Sequence, residues 1–163
     1  VTSYPAYGAD VRAAGDGVVI EVLNTLDDQT PPKLPDPATI TLANVDGNHV
    51  VVDMGGSRFA FYAHLRKGSI PAKVGDRVKR GDLLGKLGNT GNSSAPHLHF
   101  HVMDGPSVLG SNGLPFVFEQ FTYTGLVPAP LADDMKQSWS SAILATPQLR
   151  RNQLPLDNSI STF

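Results

Sequence analysis

Polar and apolar positions alternate most clearly in residues 96–102, which read Pro-His-Leu-His-Phe-His-Val. Successive side chains of a β-strand point to opposite faces, so this alternation predicts a strand with histidines on one face and apolar residues on the other. The histidines are His97, His99 and His101, and the apolar residues are Leu98, Phe100 and Val102. We expect the apolar face to be buried in a core and the imidazoles to face outward.

Shorter β-rich runs elsewhere predict an antiparallel meander. The predicted strands span residues 18–23, 39–42, 49–54, 58–65 and 116–123. Asp46-Gly47 is a strong turn signal and predicts a hairpin between the second and third of these strands. The proline-rich residues 24–37 predict an exposed loop. Recurrent glycines in residues 73–89 predict short β segments with tight corners.

The alternation is lost after residue 127. Residues 133–144 have the pattern of one short helix, and residues 149–163 are predicted to be an irregular tail. The predicted fold class is therefore all-β, a compact antiparallel sheet or barrel-sandwich with a short C-terminal helix. Residues 1–127 are expected to form the β domain, and residues 128–163 an extension that packs on it.

Composition narrows the class of protein further. The chain has 163 residues, a formal net charge of −2 and no cysteine. The weak charge argues against a nucleic-acid partner, and the lack of cysteine excludes disulfides and thiolate metal sites. No apolar run approaches the length of a membrane-spanning helix. No signal peptide is visible and the first residue is Val1, so we expect a mature form or fragment with further sequence upstream.

His97, His99 and His101, called the histidine row below, indicate metal or acid–base chemistry. Neutral imidazole is the commonest protein metal ligand and the usual general base near pH 7. The row therefore suggests a zinc hydrolase. His64 ends the alternating strand 58–65, with Tyr62 on the same predicted face, and we expect it to join the row. His49 stands alone and is predicted to be an ordinary histidine with satisfied hydrogen bonds.

Four motifs carry a family resemblance. They are Tyr62-Ala63-His64-Leu65, Val-Gly-Asp-Arg-Val-Lys-Arg-Gly at 74–81, Leu-Gly-Asn-Thr-Gly at 87–91 and Ser-Ala-Pro-His-Leu-His-Phe at 94–100. In this order and spacing the chain resembles the lysostaphin/LytM-type zinc metalloendopeptidases over roughly residues 7–104. Their fold is the all-β duplicated hybrid motif, with the active site in a groove across the sheet.

The resemblance implies a role for three histidines. His99 looks like a zinc ligand, His97 like the histidine that activates the attacking water, and His64 like the one that positions water or stabilises the oxyanion. The implied substrate is a peptide cross-bridge of bacterial peptidoglycan, and the implied location is periplasmic or extracellular. His101 either contacts and supports a zinc ligand or has no role in the site.

The chain departs from the family at the other zinc ligands. The family has a further His and Asp before its first strand, but no histidine precedes His49 here. Asp10 occupies a position that the family usually gives to proline, so it receives no ligand role. Either the pair lies upstream of Val1, or the site is degenerate. Asp53 and His49 are conceivable substitutes without a family counterpart.

Three other functions fit parts of the sequence. A degenerate relative would bind peptidoglycan or regulate another cell-wall hydrolase. A biotinyl or lipoyl carrier would need an exposed lysine on a tight turn, but the neighbours of Lys86 do not match. A cupin-type oxygenase would need a glutamate beyond the His-x-His pair, and Asp104 is too close to replace it. The cleaved bond and the oligomeric state are not encoded in any motif.

Overall fold

The structure is a computed structural model and describes residues 1–127 and 143–163, with side chains from residue 146 in the second range. The strands are β1 (Asp10–Arg12), β2 (Gly17–Leu23), β3 (Asn48–Asp53), β4 (Phe59–Leu65), β5 (Arg77–Val78), β6 (Leu83–Lys86), β7 (His99–Met103), β8 (Gly113–Leu114), β9 (Phe118–Leu126), β10 (Ile143–Gln153) and β11 (Ser159–Thr162). One 3-10 helix spans Pro37–Thr39. The predicted all-β antiparallel class is confirmed. No helix among the described residues is long and apolar enough to cross a membrane.

Two compact units make up the described chain, Val1–Leu114 and Pro115–Phe163. In the first unit, six strands form one antiparallel sheet in the order β5-β2-β3-β4-β7-β8. Strands β1 and β6 pair separately. The predicted strands at 18–23, 49–54 and 58–65 are the central strands of the large sheet, each matched to within one residue.

The two faces of this sheet hold two apolar clusters, as period-two alternation requires. The larger cluster contains Val11, Ala13, Val19, Val50, Val52, Ala60, Tyr62, Leu65, Ile70, Val78 and Leu84. The smaller cluster contains Val51, Phe61, Ala63 and Met103. Neighbouring residues of β3 and β4 therefore serve opposite faces, which makes both strands buried throughout most of their length.

The predicted strand at 39–42, and with it the predicted hairpin at Asp46-Gly47, is wrong. The segment instead leaves the 3-10 helix and enters turns that precede β3. Asp36 caps the helix by accepting a hydrogen bond from the Ala38 N–H. The Asn44 side chain accepts from the Thr41 N–H at 2.7 Å and donates to the Thr39 carbonyl at 2.9 Å. These local side-chain bonds to the backbone compete with strand pairing.

The irregular tail predicted for residues 149–163 is also wrong. Strands β10 and β11 pair with the two sides of β9 in a three-stranded antiparallel sheet. Phe163 packs against Phe118 and Phe121, with ring centroids 4.5 and 5.6 Å apart. This long-range aromatic packing supplies a partner that local alternation does not reveal. The predicted helix 133–144 lies almost wholly outside the described residues, and its last two residues begin β10. The boundary after residue 127 and the packing of 128–163 stay predictions.

Candidate active site

Strand β7 carries two of the three row histidines. It begins at His99, so His97 and Leu98 precede the strand rather than belong to it. In the pairing with β4, His99 lies opposite Ala63 and His101 lies opposite Phe61. Both imidazoles contact the Phe61 ring, at centroid distances of 6.0 and 5.1 Å. The row is thus anchored on the smaller apolar cluster.

The opposite face of this segment is only partly buried. Phe100 packs into the larger core against Tyr62, with centroids 5.0 Å apart, and Val102 is buried. Leu98 is 37% exposed, contrary to the expectation that it lines the core. Leu98 precedes β7, and the pairing of β7 with β4 begins only at His99.

A β-bulge brings His64 to the row. Asn48 pairs with Leu65 and Val50 with Tyr62, so Ala63 and His64 together oppose His49. The extra residue reverses the alternation of β4, because Leu65 packs in the same core as Tyr62. His64 has φ of 61°, in the left-handed region. Strict alternation would have placed it on the Tyr62 face, away from His99.

The bulge leaves three imidazoles close together. The His64 ring centroid is 4.6 Å from that of His97 and 5.9 Å from that of His99. The prediction that His64 joins the row therefore agrees with the structure, although by a route different from simple alternation.

His64 is held in one tautomer. Its side chain is 5% exposed, and Nδ1 lies 2.7 Å from the carbonyl oxygen of Thr90. A carbonyl can only accept, so Nδ1 carries the proton and Nε2 keeps its lone pair. Burial lowers the pKa of His64 to about 4; the Thr90 bond acts in the opposite direction, and His97 and His99 lower it further. His64 is therefore neutral near pH 7.

His97 has the same tautomer. Its Nδ1 lies 2.9 Å from the Ala95 carbonyl oxygen and 3.2 Å from the Ser93 hydroxyl. Because the Ala95 carbonyl can only accept, Nδ1 again carries the proton and Nε2 is left free. Two neighbouring imidazoles thus keep unprotonated Nε2 atoms. That arrangement suits acceptance of a proton from water.

The other two histidines differ in environment. His101 Nδ1 lies 3.3 Å from His99 Nε2, so His101 is in direct contact with His99. Burial lowers the pKa of His101, as does His99, whereas Asp46 raises it. His49 is buried, with Nδ1 bonded to the Gly47 carbonyl and Nε2 to Glu21. This is the satisfied histidine that the sequence predicts.

Four buried polar residues support the histidines through hydrogen bonds, and none of them was assigned a role in the site from the sequence, although two belong to the motif at 87–91. They are Asn48, Asn89, Thr90 and Ser93. Three of them lie in the Gly-Asn-Thr-Gly-Asn-Ser stretch at 88–93. The signal was available, because small polar residues between glycines permit close backbone packing. Gly91 shows this directly: an added Cβ would lie 2.3 Å from the Gly47 nitrogen.

The residues present do not by themselves fit a catalytic zinc ion. Such a site needs about three protein ligands. In residues 1–127 and 143–163, no group of three His, Asp or Glu side chains is arranged to hold a metal. The conceivable substitutes are engaged elsewhere: both ring nitrogens of His49 are bonded, and Asp53 accepts from the Gly55 N–H. Asp10 pairs with Arg12 and Lys86.

Comparison with known proteins identifies the family. Residues 2–110 match the model of Peptidase family M23, so the chain belongs to that family. This confirms the resemblance to lysostaphin/LytM-type enzymes.

Two curated relatives and one solved structure illustrate the similarity. Glycyl-glycine endopeptidase ALE-1 of Staphylococcus capitis is 37% identical over 98 residues, 59% of this chain and 22% of that protein. Peptidoglycan DD-endopeptidase ShyA of Vibrio cholerae is 34% identical over 96 residues, 59% of this chain and 18% of that protein. The chain therefore spans less than a quarter of the length of these relatives. The catalytic domain of lysostaphin from Staphylococcus simulans is 26% identical, with a TM-score of 0.48 over 68% of this chain and 70% of that one.

Proposed function

We propose that this domain is a zinc-dependent endopeptidase that cleaves peptide cross-bridges of bacterial peptidoglycan outside the cytoplasm. The observation that carries the proposal is the pair His64 and His97, with ring centroids 4.6 Å apart and both Nδ1 atoms bonded to carbonyls. Membership of Peptidase family M23 supports the reaction class. The named activities of ALE-1 and ShyA support peptidoglycan as the substrate.

The histidines of this chain would perform the proton transfers. His97 Nε2 accepts a proton as water attacks the scissile carbonyl and returns it to the leaving amine. His64, neutral and fixed by Thr90, accepts a hydrogen bond from the same water and so orients it. Because His64 keeps its proton on Nδ1, its Nε2 cannot donate to an oxyanion until that atom is protonated. Water positioning is therefore the role that its tautomer favours in the resting site.

Zinc dependence is the part of the proposal that reaches beyond the described residues. His99 is the ligand that the resemblance assigns, and the remaining ligands are proposed to come from sequence upstream of Val1. The rival function is a degenerate relative that binds peptidoglycan without cleaving it. This rival is favoured because no three side chains among the described residues are arranged to hold a metal ion.

The test uses the full-length gene product. Its zinc content is measured by elemental analysis, and its action on purified peptidoglycan is followed by mass spectrometry of released peptides. We expect about one zinc per chain and new peptide termini. His97→Ala should keep the zinc and lose at least about 100-fold in cleavage rate. His99→Ala should lose both.

The matched control is His49→Gln, which alters the histidine outside the row and should leave cleavage within a few-fold of the unaltered protein. Binding to peptidoglycan without released peptides, at less than about 0.1 zinc per chain, would establish the rival function. Full cleavage by zinc-loaded His97→Ala would overturn the role given to His97.

A further inference from the structure

We propose that Ser93 is a positioning residue for His97. Its buried hydroxyl accepts a hydrogen bond from Nδ1 and holds the imidazole in the tautomer whose Nε2 can take a proton. The inference rests on the proposed function for its catalytic meaning. The hydrogen-bond arrangement that supports it belongs to this chain and does not depend on a metal.

The direction of the hydrogen bonds at Ser93 follows from its neighbours. Ser93 is 1% exposed, and its Oγ lies 2.7 Å from Asn89 Oδ1 and 3.0 Å from the Ala95 carbonyl oxygen. Both of these oxygens can only accept. A hydroxyl has one proton, so that proton goes to one of them. The Oγ lone pairs are then the atoms that meet His97 Nδ1 at 3.2 Å.

Asn89 fixes the other end of this chain of hydrogen bonds. Its side-chain Nδ2 donates to the Gln29 carbonyl at 3.0 Å, which places Oδ1 toward Ser93. Its backbone N–H donates to Asp28 Oδ1 at 2.6 Å. Asn89 is fully buried, so the amide has no water to exchange partners with. Each group therefore donates to the next, from His97 to Ser93 to Asn89, and the last acceptor is the carbonyl of Gln29 in the proline-rich loop.

His97 needs such support because sheet pairing does not reach it. The pairing of β7 with β4 begins at His99, two residues later. The polar contacts that hold the His97 ring are the Ala95 carbonyl and the Ser93 hydroxyl. Both accept from Nδ1, so together they disfavour the tautomer with the proton on Nε2. Removing Ser93 Oγ leaves one acceptor and a space beside the ring.

The test reads the tautomer directly. Histidine nitrogens are labelled with ¹⁵N, and the Nδ1 and Nε2 chemical shifts of His97 are measured at pH 8. We expect the unaltered protein to show the Nδ1–H form. Ser93→Ala should shift His97 toward a mixture of tautomers. It should also lower kcat for peptidoglycan cleavage roughly five- to tenfold, equivalent to one ordinary hydrogen bond, with KM unchanged.

Three further variants separate positioning from folding. Ser93→Thr keeps the hydroxyl and should restore both readouts. Ser93→Cys keeps the volume but bonds weakly, and should resemble Ser93→Ala. Ser94→Ala, at the exposed neighbouring residue, should change neither readout. Thermal unfolding shows that each measured variant is folded.

The proposal is overturned if Ser93→Ala and Ser93→Cys both keep the His97 nitrogen shifts of the unaltered protein. It is also overturned if Ser93→Thr behaves as Ser93→Ala does. A protein that releases no peptides from peptidoglycan would defeat the proposed function instead. The nitrogen shifts would still decide whether Ser93 sets the His97 tautomer.

Discussion

The Nδ1 atom of His64 lies 2.7 Å from the carbonyl oxygen of Thr90, a residue 26 positions later in the chain. This bond joins the bulge of β4 to the Gly-Asn-Thr-Gly loop. Thr90 also accepts from the Asn48 N–H through Oγ1 at 2.8 Å and donates to the Leu65 carbonyl at 3.0 Å. One buried residue therefore fixes both the bulge and the imidazole that the bulge presents.

His64→Asn tests the imidazole without disturbing the bulge. Asparagine tolerates the left-handed backbone that His64 adopts with φ of 61°. We expect a folded protein whose peptidoglycan cleavage falls about 100-fold or more, because the group that orients the attacking water is lost. Cleavage rates measure the loss of activity, and circular dichroism shows whether the variant is folded. Cleavage within threefold of the unaltered protein would remove His64 from the reaction.

Gly91→Ala tests the close backbone approach beside Thr90. An added Cβ would lie 2.3 Å from the Gly47 nitrogen and 2.7 Å from the Val45 carbonyl oxygen, at φ of 74°. We expect the free energy of unfolding to fall by about 3 kcal/mol or more, because two backbone segments must separate.

The control for this variant is Gly68→Ala. Gly68 has φ of 69° and nothing within 4 Å of an added Cβ. It therefore measures the cost of the backbone angle alone, about 1 kcal/mol. Urea unfolding of both variants gives the comparison. Equal losses would show that the contact between Gly91 and Gly47 does not constrain the loop.

Tyr62→Phe tests the buried hydroxyl of Tyr62, which belongs to the larger apolar cluster. Burial raises the pKa of Tyr62 to about 12, although its hydroxyl accepts a hydrogen bond from the Ala14 N–H, which lowers it. Above pH 10 the unfolded chain loses this proton while the folded chain keeps it. The unfolded state is then favoured as pH rises, by up to about 1.4 kcal/mol per pH unit between pH 10 and 12.

At pH 7 the Tyr62→Phe variant has no hydroxyl to accept from the Ala14 N–H, and we expect a loss of about 1 kcal/mol in unfolding free energy relative to the unaltered protein. That difference should shrink or reverse between pH 10 and 12, because the variant lacks the titration. Urea unfolding at pH 7, 10 and 11.5 measures it. A difference that stays constant across this range would contradict the raised pKa.

Asn48→Ala tests the buried amide at the start of β3. Asn48 is fully buried; its Oδ1 accepts from the Leu26 N–H, and its Nδ2 donates to the carbonyls of Leu26 and Leu65. We expect a loss of roughly 3 kcal/mol in unfolding free energy, because backbone groups are left without partners. Asn44→Ala removes the hydrogen bonds of a side-chain amide in an exposed turn and should cost less than about 1 kcal/mol in unfolding free energy. Similar losses in the two variants would contradict the importance of burial.

The sequence by itself determined the class of fold and indicated the histidines of the candidate site. Residues 49–54 and 58–65 are recognisable as strands because they are short apolar runs rich in β-branched or aromatic residues, the pattern of strands that are buried on both faces. His97 and His99 stand out because three imidazoles occur within five positions. The strand at 39–42 failed because capping by Asp36 and Asn44 depends on local geometry that β propensity does not register.

Only the tertiary structure decided how the histidines meet. Alternation alone places His64 and His99 on opposite faces. The bulge at Ala63-His64 brings them together, and Thr90, which lies in a loop outside the large sheet, bonds to Asn48 and Leu65 beside that bulge. Strands β10 and β11 likewise depend on pairing with β9 and on the contact of Phe163 with Phe118. A local pattern records which faces a strand presents. The bulge, the distant strand pairs and the tautomer of His64 are set by contacts between residues far apart in the chain, and these contacts form only when the chain folds.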